Sequence, residues 1–310
     1  QTFATVASML AEATPPWPRH DFVLFLCRLI ENAELGSPES RERHGLVTRR
    51  CQWRTSTGVD PIVDETQEIV IATRDLPPKE WRRAYRLAFL TAALYNLRLL
   101  RVMLHAAGEA LGLSQRAVLL ALAEAVDAAA PGSVFGEIAA ALDRHASSIE
   151  AGGPFVLPHA DAAPDAPPLT LDESVAAAAL ARYDELVAAA EAVVRGLAGL
   201  PPSSTDVLAE AAAVQRLVTP RWNVAAPITL ALTHDWPPYL DAGTTGAGPS
   251  PSPIVLTFTP PSYVGVADYL AFVSTHVGVV HARLAVGELV TASAVPVVAP
   301  PRRVSLPMSG

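Results

Sequence analysis

One stretch limits what this chain can fold into more than any other: Lys79 to Leu111, KEWRRAYRLAFLTAALYNLRLLRVMLHAAGEAL. Trp81, Tyr85, Ala88, Ala92, Tyr95, Leu99 and Val102 recur at steps of three and four residues, the period of one helix face. A second apolar row, Leu87, Leu90, Leu94, Leu97 and Leu104, lies beside it, so almost no polar circumference remains between Arg86 and Arg98. A helix apolar nearly all round is buried on several sides. The spacing therefore predicts one long central helix, ended by Gly112, around which other elements pack. Ser114 is placed to cap a second helix that Pro131 and Gly132 close, and Ser133 a third over VFGEIAAALDRHASSIE. Short connections make the three antiparallel.

The flanks carry weaker signals. Residues 2–13 read as a short helix, and a second helix from Asp21 to Gly36 shows Phe22, Phe25, Leu26, Leu29 and Ile30 on one face. SPESRERHG reads as a polar loop, and LVTRRCQW and QEIVIAT as the strands of a small β hairpin, about 46–73, turning near Gly58 to Pro61. Gly152 to Leu169 holds five prolines and two glycines, the composition of a solvated, extended connection. Thr170 and Glu173 form a capping box that opens a helix running to Ala198, with Leu180, Tyr183, Leu186, Val187, Val194 and Leu197 as its buried stripe. The stretch Ser203 to Asp206 caps a further helix ending at Thr219 and Pro220. From Pro220 the period changes to two: Ile228, Leu230 and Leu232 alternate with Thr229, Ala231 and Thr233. A loop of about twenty residues then precedes the strand IVLTFT; a helix over 262–275, one or two strands and an irregular tail follow.

The expected architecture is predominantly α with a smaller β component. A helical region with an inserted hairpin spans 1–150, a Pro/Gly-rich linker 151–170, and two helices followed by a β-rich region 171–310, in one continuous body or two. A chain of 310 residues can bury a core of either kind. Its longest strongly apolar run, Leu87 to Leu97, falls short of the roughly 18–20 residues needed to cross a bilayer, so no membrane span and a soluble, intracellular protein are expected.

Of 23 basic residues only Lys79 is lysine, while Asn appears three times and Ile eight. With Ala, Pro, Val and Gly inflated as well, that skew points to a GC-rich genome, bacterial or viral, before it points to phosphate recognition. Net charge is −8, yet residues 41–116 carry 13 basic against 8 acidic side chains. Within that band Arg41, Arg43, Arg49, Arg50 and Arg54, with Trp53 among them, are the candidate nucleic-acid contacts: guanidinium groups for phosphates and an indole for stacking. Glu39, Glu42 and the nearby DETQE segment oppose this by neutralising them, and so does the overall charge.

Two cysteines make no disulfide framework, and Cys27, amid FVLFLCRLI, is expected to be a buried free thiol. The chain opens on Gln1, from which residues upstream are expected. The sequence has no GxSxG elbow, Walker loop, CxxC, HExxH or dinucleotide-binding glycine pattern. His234 and Asp235, at a strand end, are the only pair with a catalytic aspect, and a turn in which Asp235 bonds its own backbone is the plainer account. His276 and His281 are five apart in a strand and face opposite sides. His159, Asp161 and Asp165 have ligand chemistry without rigid support. Asp143, Arg144 and His145 diverge by about 100 degrees per residue on a helix and are expected at a solvated helix end. No cofactor or metal is expected. The function anticipated is therefore structural: a capsid, tegument or other shell subunit of a virus with a GC-rich genome, binding copies of itself or other shell proteins. The alternatives are a bacterial helical binding or regulatory protein, and an enzyme acting near His234 and Asp235.

Overall fold

The structure, a computed structural model, describes residues 26–30, 32–52, 66–158, 168–200, 206–218, 221–222, 228–236, 248–259, 262–263 and 288–294. The expected helix at 2–13, the turn at 58–61, the remainder of 262–275 and the tail lie outside the described residues.

The N-terminal part is a three-stranded antiparallel sheet ordered β1-β3-β2, with β1 Arg28–Leu29, β2 Val47–Gln52 and β3 Thr66–Ala72. The pairing of β2 with β3 is the expected hairpin. β1 is a correction: Arg28 and Leu29, expected in a helix, pair with Ile69 and Glu68, because the edge of β3 captures the backbone that a helix would have satisfied internally. SPESRERHG is a second correction. It forms α1, Pro38–His44, since Ser37 accepts from the Ser40 N–H, Pro38 fits the first turn, and Gly45 closes it at φ 56°.

The long central helix is broken. α2 spans Pro78–Thr91, a π turn covers Ala92–Asn96, and α3 resumes at Arg101–Glu109, the two axes bent by 92°. No Pro or Gly lies at the break, so local propensity does not explain it. Packing does. A straight helix over these residues would be about 48 Å long, yet Tyr95, Leu99, Leu100, Met103 and Leu104 all lack solvent contact. Folding the rod back buries both halves in one core. The local cost is Arg98 at φ 62°, about 1–2 kcal/mol for a residue with a β-carbon. The offset is external: Gln215 accepts from the Val102 N–H at 2.7 Å and donates to the Arg98 carbonyl at 2.9 Å, and Tyr183 donates to the Leu99 carbonyl at 2.7 Å.

α4, Gln115–Asp127, and α5, Val134–Glu150, start at Ser114 and Ser133 as their capping signals predict. The Pro-rich segment is not solvated at its described ends. Phe155 donates to the Gln52 carbonyl, Leu157 and Leu169 exchange backbone bonds, and Val156 and Leu169 are buried. The helix expected from Thr170 to Ala198 does open on the capping box, then breaks at Arg182 into α6, Leu171–Ala181, and α7, Tyr183–Ala198, which ends at Gly199 with φ 66°. Leu197, expected in the buried stripe, is 40% exposed. α8 is Val207–Val218, capped by Asp206, whose Oδ1 accepts from the Leu208 and Ala209 N–H groups.

The C-terminal strands are β4 Arg221–Trp222, β5 Ile228–Leu232, β6 Ile254–Thr259, β7 Ser262–Tyr263 and β8 Glu288–Ala294. β5, β6 and β8 form an antiparallel sheet, while β4 and β7 pair in parallel. Ser262 and Tyr263 are thus strand where a helix was expected. The protein is predominantly α with small sheets, and buried side chains from Cys51 to Leu256 form one contiguous core. Among the described residues no single helix is long and apolar enough to cross a membrane.

Candidate functional site

The arginine band is divided by the sheet it is built on. Successive strand residues face opposite sides, so Arg49 and Arg50 part company. Arg49 shares a face with Cys51, against the end of α5: its Nε donates to the Glu150 carbonyl at 2.9 Å, a cation on a helix C-terminus. Arg50 lies opposite Glu68 on the other face. There Arg41, from α1, forms a bidentate pair with Glu68 at 2.6 Å through each nitrogen, and the Thr48 hydroxyl donates to the same carboxylate. The bonds from Arg41 and Thr48 hold the Glu68 carboxyl at about 2. Arg41 is therefore committed within the fold, whereas the Arg43 and Arg50 side chains are exposed. Trp53 and Arg54 lie outside the described residues.

Next to this sheet an apolar groove of 390 Å³ runs between α2 and the strands, lined by Leu26, Leu46, Val70, Trp81, Tyr85 and Phe89 among others. The wall supplied by α2 is a ladder of aromatic rings one helical turn apart. Trp81 stacks on Tyr85 at 5.1 Å between centroids, and Tyr85 meets Phe89 at 4.7 Å. Of the large apolar side chains exposed among the described residues, Leu35 at 36% lines this groove, while Ile30 at 68% lines a separate recess with Arg50 and Glu68. Cys27 opens onto the groove too, as an exposed thiol where a buried one was expected. An apolar, aromatic-walled groove accepts apolar side chains of a partner.

His234 and Asp235 end β5, and the structure adds the residue that sequence reasoning missed. Glu210 of α8 accepts at Oε1 from the Thr233 N–H (2.6 Å) and hydroxyl, and at Oε2 from Trp236 Nε1 (2.9 Å), with His234 Nδ1 at 3.1 Å. Burial alone would push its carboxyl up; the bonds from Thr233, Trp236 and His234 outweigh that and hold it below the usual range. Asp235 bonds through its N–H to the Ser250 carbonyl, so the turn closes on the far arm of the loop, not on its own side chain. A carboxylate that fixes the tautomer of a histidine is half of a general-base arrangement. Here the hydroxyl beside the ring, Thr233, donates to the same carboxylate, which makes the cluster a fastening of α8 to β5. His159, Asp161, Asp165, His276 and His281 lie outside the described residues, and among the described residues no three His, Cys, Asp or Glu side chains are grouped to hold a metal. No family model matches the sequence, and no curated protein matches it.

Two further polar clusters lie between helices, the first half-exposed and the second buried. Arg82 and Arg86 of α2 reach Asp143 and Glu150 of α5 and Asp127 of α4, so Asp143, expected at a solvated helix end, belongs to an interhelical network. His145, expected at a solvated helix end, is 2% exposed and lies 2.9 Å from the Ser174 hydroxyl. The error was one of phase: His145 shares the face of Leu142 and Ile149 on α5, both buried.

Proposed function

We propose that this chain is a structural subunit of an assembled shell, a capsid or tegument component of a virus with a GC-rich genome, acting through protein–protein contacts. The supporting observation is the apolar, aromatic-walled groove beside the N-terminal sheet, with Leu35 exposed in its lining. An open groove walled by aromatic and aliphatic side chains is a place for a partner's apolar side chains. On this reading the partners are copies of the chain or other shell proteins, and the protein resides in the soluble intracellular pool and in the virion. Light scattering on the purified chain tests it. Large assemblies, lost when Leu35 and Leu46 are changed together to Asp, are expected; a monomer or dimer at every concentration, with the Asp substitutions without effect, overturns it.

Exposed Arg43 and Arg50 favour nucleic acid as an additional partner. That arm predicts retention of RNA or DNA that weakens with salt and with Arg43→Ala and Arg50→Ala together; retention indifferent to both removes it.

A further inference from the structure

We propose that the joint between α2 and α3 is a domain-swapping hinge, and that a second copy of this chain binds by exchanging α2 and the sheet of β1, β2 and β3 that precedes it. Three observations at the joint point the same way. The stretch from Lys79 to Ala107 contains neither Pro nor Gly, so nothing local prevents one continuous helix. The connection is short and strained: a π turn at Ala92–Asn96 runs into Arg98 at φ 62°, the one described non-glycine residue with a positive φ. And three of the backbone groups at the bend, the Val102 N–H and the Arg98 and Leu99 carbonyls, are satisfied from elsewhere in the chain, by Gln215 and Tyr183. Short hinges under strain invite swapping.

Straightening within a lone chain is opposed by burial, because it strips Leu99, Leu100, Met103 and Leu104 of their cover. A second copy removes that opposition. It offers the same surfaces, so the apolar contacts and the ion pairs of Arg82 and Arg86 with Asp127, Asp143 and Glu150 form between chains with the partners they have within one. Only the joint differs between the two states. There the swapped form gains helix hydrogen bonds and sheds the strain at Arg98, against the loss of the bonds that Gln215 and Tyr183 make to the bent joint. A second copy is the occupant to expect, since only a copy reproduces every one of those contacts. The proposal stands independently of the shell reading: the groove substitutions leave the joint untouched.

Refolding at high concentration followed by size-exclusion chromatography tests it. A dimer that persists on dilution is expected for the chain carrying the groove substitutions, which remove shell assembly from the measurement. Arg98→Gly frees the bent form from strain and penalises the straight helix at both joints, so it weakens dimerisation at least about tenfold, while Arg98→Ala, which keeps the β-carbon, leaves it within about threefold. Charge reversal identifies the exchange. Arg86→Asp and Asp143→Arg each place like charges together in a closed chain, but refolded as a mixture they restore opposite charges at both exchanged interfaces. Heterodimer well above the statistical half is the expected result. A chain that stays monomeric, a dimer indifferent to Arg98→Gly, or a statistical mixture overturns the proposal.

Discussion

Gln215 caps Val102 across 113 residues of sequence: the side-chain carbonyl of one accepts the N–H of the other at 2.7 Å, inside the core. The same side chain donates to the Arg98 carbonyl, so a single amide supplies both ends of a broken helix. Gln215→Leu keeps the volume and orphans these groups. A loss of about 2–4 kcal/mol in urea unfolding is expected. A loss under about 0.5 kcal/mol would show that the joint does not depend on this contact.

Burial, with the charge of Arg144 behind it, depresses the His145 imidazole to about 4 from an ordinary 6.5. The unfolded chain takes up the proton first, so stability falls as pH drops through the interval between those values. Linkage puts the loss at about 2 kcal/mol on going from pH 7 to pH 5. Glu68 contributes in a different window: its folded value is depressed, so its stabilisation is present above about 4.5 and is lost as pH falls towards 2. Urea unfolding of the unaltered chain and of His145→Asn at pH 7 and pH 5 checks this, since the substituted chain should lose most of the dependence between those two pH values.

Glu210 receives Thr233 and Trp236 as donors in a buried site. Glu210→Ala leaves those donors without their acceptor and is expected to cost about 2–4 kcal/mol, with faster hydrogen exchange in β5 and red-shifted tryptophan emission. His234→Ala removes only the outermost member and should cost less than about 1 kcal/mol. The reverse ranking would identify His234 as the centre of the cluster and revive the general-base reading.

Cys27 is exposed and Cys51 buried, although desolvation raises both thiols. One equivalent of an aromatic disulfide reagent should react with the native chain within minutes, and Cys27→Ser should abolish that phase. Two equal phases in the native state would contradict the burial of Cys51.

Elements whose signals are local were legible in the amino-acid order. Ser114, Ser133 and the Thr170–Glu173 box start helices where they stand, because a cap is a contact between residues two or three apart. The alternation at Ile228–Leu232 and the β2–β3 pairing were readable for the same reason. The arginine band was legible as composition but not as geometry, since the pleat that separates Arg49 from Arg50 acts only once β3 fixes the register.

What the order of residues determined by itself is the class of the molecule: an α-rich chain with short strands, with its longest strongly apolar run at Leu87 to Leu97. The tertiary structure alone decided that the central helix breaks at Arg98, that Arg28 and Leu29 join a sheet, and that Glu210 and Gln215 meet groups far off in sequence. Helix propensity is a sum of small local terms, about a kcal/mol or less per residue, while burying Leu99, Leu100, Met103 and Leu104 together is worth several. Where the two disagreed, burial prevailed, and burial is a property of the whole chain.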